Sequence, residues 1–204
     1  MRHHIPMKKK LFICGIIILF LSIVAYNLYA ITSDTPSNEI ISKIEEYHSH
    51  GDYNRYVIIV DYSKPSCEER FYIYNIDDKK YLYSGLCAHG NGRNSTASKP
   101  EFSNDIGSNC SSLGFFKITS KGKMNYRNRD CYRLEGLNET NSNAKKRGIL
   151  IHPSTLVSSI PFEIKGTNLP LTNASQGCFA VSFYTMTKIN EIYDGKTILI
   201  YAYY

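Results

Sequence analysis

The sequence predicts a mainly β fold, a sandwich or barrel-like sheet with one or two short helices, preceded by an N-terminal membrane helix. Short runs of alternating apolar and polar residues are separated by turn residues, as in half-buried strands. The chain of 204 residues contains 17 Tyr and 9 Phe, which strands favour. Only short stretches show helical spacing. With 43% hydrophobic residues, the chain can fill the core of one ordinary domain.

Residues 1–31 combine a basic flank with a long apolar run. Arg2 and the lysines at 8–10 precede residues 11–31, which would span about 30 Å as a helix at ~1.5 Å per residue. The basic flank should remain cytoplasmic, which places the rest of the chain in the periplasm or another extracytoplasmic space. We favour an uncleaved signal anchor in the inner membrane over a cleaved signal peptide, because residues 28–30 match a small-x-small cleavage site poorly. A cleaved segment would release a secreted protein.

Residues 32–54 are predicted to form a polar linker that contains one short amphipathic helix. Thr35 and Pro36 offer a cap and a first-turn proline, and apolar residues then recur at helical spacing from Ile40 to Tyr47. The main folded domain is expected to occupy residues 55–204.

Three strands at the start of that domain are predicted to form an antiparallel meander. They cover residues 56–61, 71–76 and 81–87, with short polar turns between them. Further strands are predicted over residues 115–119, 131–134, 149–152 and 197–203, and helices over residues 154–159 and 184–193.

If the domain is exported, its cysteines can form disulfides. Apart from Cys14 in the apolar segment, the chain has five, at positions 67, 87, 110, 131 and 178. An odd number in an oxidising compartment leaves one thiol free. We hypothesise disulfides between Cys67 and Cys87 and between Cys110 and Cys131, which leaves Cys178 unpaired. The spacing contains no Cys-x-x-Cys or His-x-x-x-His pair, so we expect no zinc site.

Cys178 follows a small, polar turn and begins an apolar run. A cysteine reacts as the thiolate and therefore needs a base or a positive field nearby. The favoured base is His152, which closes an apolar strand and is followed by Pro153; His89 is the alternative base. A buried cysteine that only fills space is the structural alternative.

Several ordered motifs together resemble a known family. Ile151-His152 followed by Ser175-x-Gly177-Cys178 resembles the active-site signature of the YkuD-type L,D-transpeptidases. Three earlier motifs resemble the branch called the murein L,D-transpeptidase catalytic domain family: His89-Gly90-x-Gly92, Phe102-Ser103-Asn104-x-x-Gly107-Ser108 and Ser111-Ser112-Leu113-Gly114-Phe115-Phe116. Two departures are Gln176 and Ala180, where many such enzymes carry His and Arg. The interval from His152 to Cys178 is also longer than usual.

The resemblance implies the YkuD-like β fold and cysteine-dependent acyl transfer on peptidoglycan stem peptides. His152 would deprotonate Cys178, and the thiolate would attack the L-centre carbonyl of the diamino acid at position three. The D-Ala at position four would leave, giving a thioester on Cys178. Backbone N–H groups near Gly177 and Cys178 would stabilise the oxyanion. An amine would resolve the thioester, and no metal or organic cofactor is needed.

Other residues and functions remain open at the level of sequence. Further candidates for substrate binding or site shaping are Ser175, His89, Gly90, Ser112, Arg133 and Arg147; an arginine would suit a stem-peptide carboxylate. An L,D-carboxypeptidase would use the same residues with water as acceptor, and a non-catalytic, membrane-tethered wall-binding module would keep only the fold. The net charge of +6 is spread along the chain, so no nucleic-acid partner is expected. We expect a monomer.

Overall fold

The computed structural model describes residues 17, 18, 22, 35–124, 128–157 and 175–204. The chain separates into two compact units, Met1–Ser42 and Lys43–Tyr204. None of the helices in the described part is long and apolar enough to cross a membrane. The predicted membrane segment at residues 11–31 lies almost entirely outside the described residues, so the anchor stays a prediction.

The predicted short helix before the sheet is present as α1, Asn38–Ser49. Within the second unit, Ile44 of this helix is fully buried. The ring of Tyr47 stacks on that of Phe115, with 3.9 Å between the centroids. Helical spacing predicted α1 because it places the apolar residues on one face of the helix, and that face packs against the core.

One nine-stranded sheet forms the second unit. In chain order its strands are β1 Tyr56–Asp61, β2 Phe71–Asn75, β3 Lys80–Gly85, β4 Cys87–Ala88, β5 Gly114–Lys123, β6 Asp130–Gly136, β7 Leu150–Pro153, β8 Phe179–Val181 and β9 Leu199–Tyr203. Across the sheet they follow the order β3-β2-β1-β9-β5-β6-β7-β8-β4. The predicted meander of β1, β2 and β3 is confirmed by their antiparallel pairing.

The two edges of the sheet are adjacent in the chain. β3 is one edge strand and β4 is the other, yet only Leu86 lies between them. The sheet must therefore curve until its edges approach, which gives a nearly closed, barrel-like arrangement. The single strand predicted over residues 81–87 was wrong for the same reason, since the chain leaves one edge at Gly85 and begins the other at Cys87.

Two elements near the end of the chain differ from expectation. β8 was not predicted, because it has only three residues and depends on parallel pairing with β7. The helix predicted over residues 154–159 is not formed at residues 154–157, which make a turn; its last two residues lie outside the described part. The other predicted helix is present as α2, Phe183–Ile192, capped by Ser182, whose Oγ accepts the Thr185 N–H at 3.0 Å.

Alternate residues of the strands fill the interior of the sheet. Ile151 of β7 and Phe179 of β8 are almost fully buried, whereas their neighbours Leu150, His152 and Cys178 are only half-buried. The interior cluster includes Ile58, Val60, Tyr62, Phe71, Ile73, Phe116, Ile118, Tyr132, Leu134, Ile149, Ile198 and Ile200. Because side chains alternate across a strand, the half-buried residues of β7 and the start of β8 share the outer face.

Candidate active site

Two adjacent parallel strands carry His152 and Cys178. Ile151 pairs with Phe179 and His152 with Ala180, so Cys178 lies beside Leu150, two residues from His152 along the strand direction. From ~4.8 Å between strands and ~3.3 Å per residue, the two Cα atoms are about 8 Å apart. Side chains alternate between the two faces of a strand, and His152 and Cys178 directly neighbour the interior residues Ile151 and Phe179. Both side chains therefore point to the outer face. The fold therefore gathers the predicted nucleophile and the predicted base on one face.

His152 is held in one tautomer. Its Nδ1 lies 3.1 Å from the carbonyl oxygen of Pro153. A carbonyl only accepts, so Nδ1 carries the proton, and the lone pair of Nε2 accepts no hydrogen bond from the described residues. Burial lowers the pKa of His152, and the bond to Pro153 offsets this only in part. The imidazole is therefore neutral at physiological pH and able to take a proton at Nε2.

The thiol of Cys178 is bound to the neighbouring strand. Its Sγ accepts the N–H of Leu150 at 3.4 Å and lies 3.8 Å from the carbonyl oxygen of Gly148. Burial raises the pKa of Cys178, while the Leu150 N–H and the guanidinium of Arg147 lower it in part. Within the described residues no hydrogen bond joins this thiol to His152. Thiolate formation therefore requires a base rather than occurring spontaneously.

The turn before Cys178 is built by Ser175 and Gly177. The Ser175 hydroxyl donates to the Cys178 carbonyl at 2.8 Å and accepts the Gly177 N–H at 3.3 Å. Gly177 has φ of 107°, and a Cβ there would lie 2.6 Å from the carbonyl oxygen of Cys110. Only glycine satisfies both the conformation and the close approach. The predicted oxyanion donor, the Gly177 N–H, is thus already engaged by Ser175.

The glycines of the His89-Gly90-x-Gly92 motif let two backbone segments touch. A Cβ on Gly90 would lie 2.2 Å from the carbonyl oxygen of Asn109, and one on Gly92 would lie 1.9 Å from that of Ser108. Gly90 also forms a parallel bridge with Ser175. The motif therefore forms close backbone contacts with residues 108–109 and with Ser175, at the start of the Cys178 turn.

His89, the alternative base, is bound to a buried arginine. It is fully buried, and its Nδ1 lies 2.7 Å from Nη2 of Arg70, a group that only donates. The lone pair of Nδ1 is therefore occupied, and Nε2 carries the proton. Burial, with the Arg70 charge, lowers the pKa of His89 to about 4. His89 acts in the scaffold, and His152 is left as the base candidate on the outer face.

Ser111, rather than Ser112, connects the loop to the Cys178 turn. The Ser111 hydroxyl accepts the Gly90 N–H at 2.9 Å and donates to the carbonyl oxygen of Gly177 at 3.4 Å. The buried hydroxyl of Ser112, one of the residues predicted to shape the site, has no hydrogen-bond partner among the described residues. The two neighbouring serines are both buried, but only the Ser111 hydroxyl forms hydrogen bonds with the described residues, so substitution of each can be compared.

Replacing Ser111 by alanine should destabilise the protein by about 1–3 kcal/mol, because the buried Gly90 N–H loses its acceptor. Ser112→Ala should change the free energy of unfolding by less than about 1 kcal/mol, since no hydrogen bond is lost. Urea unfolding of both variants measures the difference. Equal destabilisation by the two substitutions would contradict the bridging role of Ser111.

The structure assigns the two candidate arginines different surroundings. Arg147 donates from Nη1 to the carbonyl oxygen of Ser103 at 2.9 Å, and its Nη2 lies against Gly177. Arg133 lies on β6, and its Nε is 3.7 Å from the position of a Cβ on Gly122 of β5. Arg147 is therefore beside the Cys178 turn, while the Arg133 guanidinium lies near β5, although its backbone pairs with Leu150 of β7.

The two predicted disulfides are absent. Cys67 is exposed, Cys87, Cys110 and Cys131 are buried, and all four are free thiols, as is Cys178. The pairing is corrected accordingly. Spacing orders cysteines along a chain but does not fix the separation of their Cβ atoms, on which a disulfide depends. Within the described part, no three His, Cys, Asp or Glu side chains gather as a metal site would require.

Arg70 is the structural residue that sequence reasoning missed. It is fully buried and donates to the carbonyl oxygens of Cys87 at 2.7 Å and Lys64 at 2.8 Å, in addition to His89. Its guanidinium also lies over the ring of Tyr62, 5.0 Å from the centroid. An arginine immediately before a strand carries no local signal of burial, so only the fold reveals its role.

One comparison with known proteins identifies the type of domain. A family model described as L,D-transpeptidase catalytic domain matches residues 32–203. No curated protein matches the sequence. Among solved structures, the chain is similar to two of the helical cell shape determining protein Pgp2 from Campylobacter jejuni, a point mutant and the unmutated protein, with 16% identity and TM-scores of 0.46 and 0.45. Each similarity covers 74% of this chain and 48% of that one, so it spans about half of the Pgp2 chain.

Proposed function

Because this chain belongs to the L,D-transpeptidase catalytic domain family, we propose that it transfers acyl groups of peptidoglycan stem peptides through a thioester on Cys178. The observation that carries the proposal is the placement of Cys178 and His152 on the same face of two paired strands. We place this activity outside the cytoplasmic membrane, where peptidoglycan lies, with residues 11–31 as the anchor.

The first step is removal of the thiol proton. Nε2 of His152 carries the lone pair that can accept this proton, because Nδ1 donates to the Pro153 carbonyl. The thiol and the imidazole are not hydrogen-bonded in the free protein, and such contacts commonly tighten only when substrate binds. The Leu150 N–H, 3.4 Å from Sγ, stabilises the thiolate that forms.

The thiolate then attacks the L-centre carbonyl of the diamino acid at position three of a stem. The tetrahedral oxyanion needs donors near Sγ, each commonly worth about 10² to 10³ in rate. The Gly177 N–H is already engaged by Ser175. We therefore assign the oxyanion contact to the N–H of Cys178 itself. Collapse of the intermediate expels D-Ala, which takes the proton from His152, and leaves the thioester.

The acceptor decides between two activities. An amine from a second stem gives a cross-link or an exchanged peptide, and water gives an L,D-carboxypeptidase with the same residues. The outcome depends on how well the acceptor side excludes water, which the residues around Cys178 do not determine by themselves.

Product analysis with and without an added amine distinguishes the two. We expect the full-length chain, incubated with a disaccharide tetrapeptide and a D-amino acid, to give a product in which the new amine replaces D-Ala. Mass spectrometry of the muropeptides identifies it. Release of tripeptide alone at every amine concentration would instead show a carboxypeptidase. Neither product, from folded protein, would favour a wall-binding module.

A further inference from the structure

We propose that Arg147 is a positioning residue for the reaction: it fixes the loop at residues 103–110 against the Cys178 turn and supplies the positive charge that favours the Cys178 thiolate. This inference rests on the proposed thioester chemistry and adds a residue to it. Arg147 lies in the segment that leads into β7, so it approaches Cys178 from an element that carries neither the nucleophile nor the base.

The guanidinium joins three points of the loop. Nη1 donates to the carbonyl oxygen of Ser103 at 2.9 Å, and Nη2 donates to the carbonyl oxygen of Cys110 and lies 3.4 Å from the Ser108 hydroxyl. These acceptors lie about forty residues earlier in the chain. The planar guanidinium, with several donors in fixed directions, can bind them together, whereas a lysine ammonium is a single point charge.

The same group lies directly against the turn. A Cβ on Gly177 would be 2.8 Å from Nη2 of Arg147 and 2.6 Å from the carbonyl oxygen of Cys110, to which Nη2 donates. Gly177 immediately precedes Cys178. The absence of a side chain at 177 therefore lets the charge and its carbonyl partner contact the backbone that orients the thiol.

In the part of the chain that the structure describes, no carboxylate forms a hydrogen bond with Arg147. All its hydrogen-bond acceptors among the described residues are neutral. Asp105, the carboxylate that acts on it from a distance, is exposed and is paired with Arg93 at 3.1 Å. In a partly buried site an uncompensated cation acts on neighbouring groups with little screening. The charge is therefore available to a thiolate at position 178.

Among the described residues, the other titratable groups near Cys178 do not supply this charge. The thiol of Cys131 on β6 and the phenol of Tyr62 after β1 are both buried and neutral, and either would oppose a thiolate if ionised. His152 on β7 is neutral at physiological pH. Gln176 and Ala180, each two residues from Cys178 in the sequence, are uncharged.

The test measures the ionisation of Cys178 without turnover. Iodoacetamide alkylation of Cys178 in the full-length chain is followed against pH by peptide mass spectrometry, which separates it from the other cysteines. In Arg147→Ala the apparent pKa should rise by about one unit, so the thiolate fraction near neutral pH falls about tenfold. Methylguanidinium should restore part of the alkylation rate. The matched control is Arg55→Ala, which removes an equal charge from an exposed site beside Tyr56 of β1 and should leave the Cys178 pKa unchanged.

Arg147→Lys separates the charge from the hydrogen bonds. It should retain most of the pKa effect but lose turnover of the stem peptide, because one ammonium cannot hold the loop carbonyls together. An unchanged Cys178 pKa in folded Arg147→Ala would overturn the proposal. If that variant does not fold, wild-type turnover in Arg147→Lys would overturn it. Alkylation requires no acyl transfer, so failure of this inference is distinguishable from failure of the proposed function.

Discussion

Cys178→Ser is expected to lower turnover of a stem tetrapeptide on the order of 10³-fold or more. The serine hydroxyl is far less acidic than a thiol and a neutral imidazole deprotonates it poorly in this position, so the acyl intermediate would not accumulate. The side chain is half-buried, and the Leu150 N–H that now binds Sγ at 3.4 Å can bind Oγ. The fold should therefore persist. Release of D-Ala from purified protein measures the effect.

The exposed thiol of Cys67 provides the control. Cys67→Ser makes the same chemical change in the loop between β1 and β2 and should retain full turnover. Substantial D-Ala release by folded Cys178→Ser, or loss of release in Cys67→Ser, would mean that the nucleophile lies elsewhere.

His152→Ala should lower kcat/KM by about 10² to 10⁴, the usual contribution of a positioned general base. In the unsubstituted protein, kcat/KM should rise with pH as His152 loses its proton. Burial lowers the pKa of His152 from its ordinary 6.5, so the midpoint of the rise should lie on the acidic side of that value. In His152→Ala this acidic limb should disappear, and activity should increase only as the thiol itself ionises at higher pH. Initial rates across the pH range give the profile.

His50→Ala is the matched control, because His50 is exposed in the turn after α1. It should leave both the rate and the pH profile unchanged. An acidic limb that persists in folded His152→Ala would assign the base to another group. His89 is a poor substitute, since its Nδ1 is occupied by Arg70.

Local patterns predicted the parts of the fold that depend on local contacts. The β1–β2–β3 meander was predictable because alternation and polar turns define consecutive antiparallel strands. β8 was not, because three residues carry little periodicity and its partner β7 is separated from it by residues 154–178. The break of the predicted strand at Leu86 follows from curvature of the whole sheet, which no local window contains.

The candidate site also has parts that local sequence predicts and parts that only the folded chain reveals. The turn before Cys178 and the strand that carries His152 were predictable, because a glycine among small polar residues and an apolar run are local signals. The catalytic roles of the two residues stay predictions. The glycine motif at residues 89–92 was visible, but its purpose, a close approach to residues 108–109, was not. The buried Arg70 and the contacts of Arg147 depend on segments brought together only by folding. The disulfide hypothesis was wrong for the same reason, since it paired cysteines whose predicted strands or loops are neighbours in the sequence.

Intact-mass analysis of the full-length chain after brief incubation with a disaccharide tetrapeptide tests the central claim most directly. We predict a covalent adduct equal to the donor minus D-Ala, located on Cys178 by peptide mapping, cleaved by hydroxylamine and absent in Cys178→Ser. An adduct located on any other residue, or D-Ala release with no acyl-enzyme and no dependence on Cys178, would contradict the account.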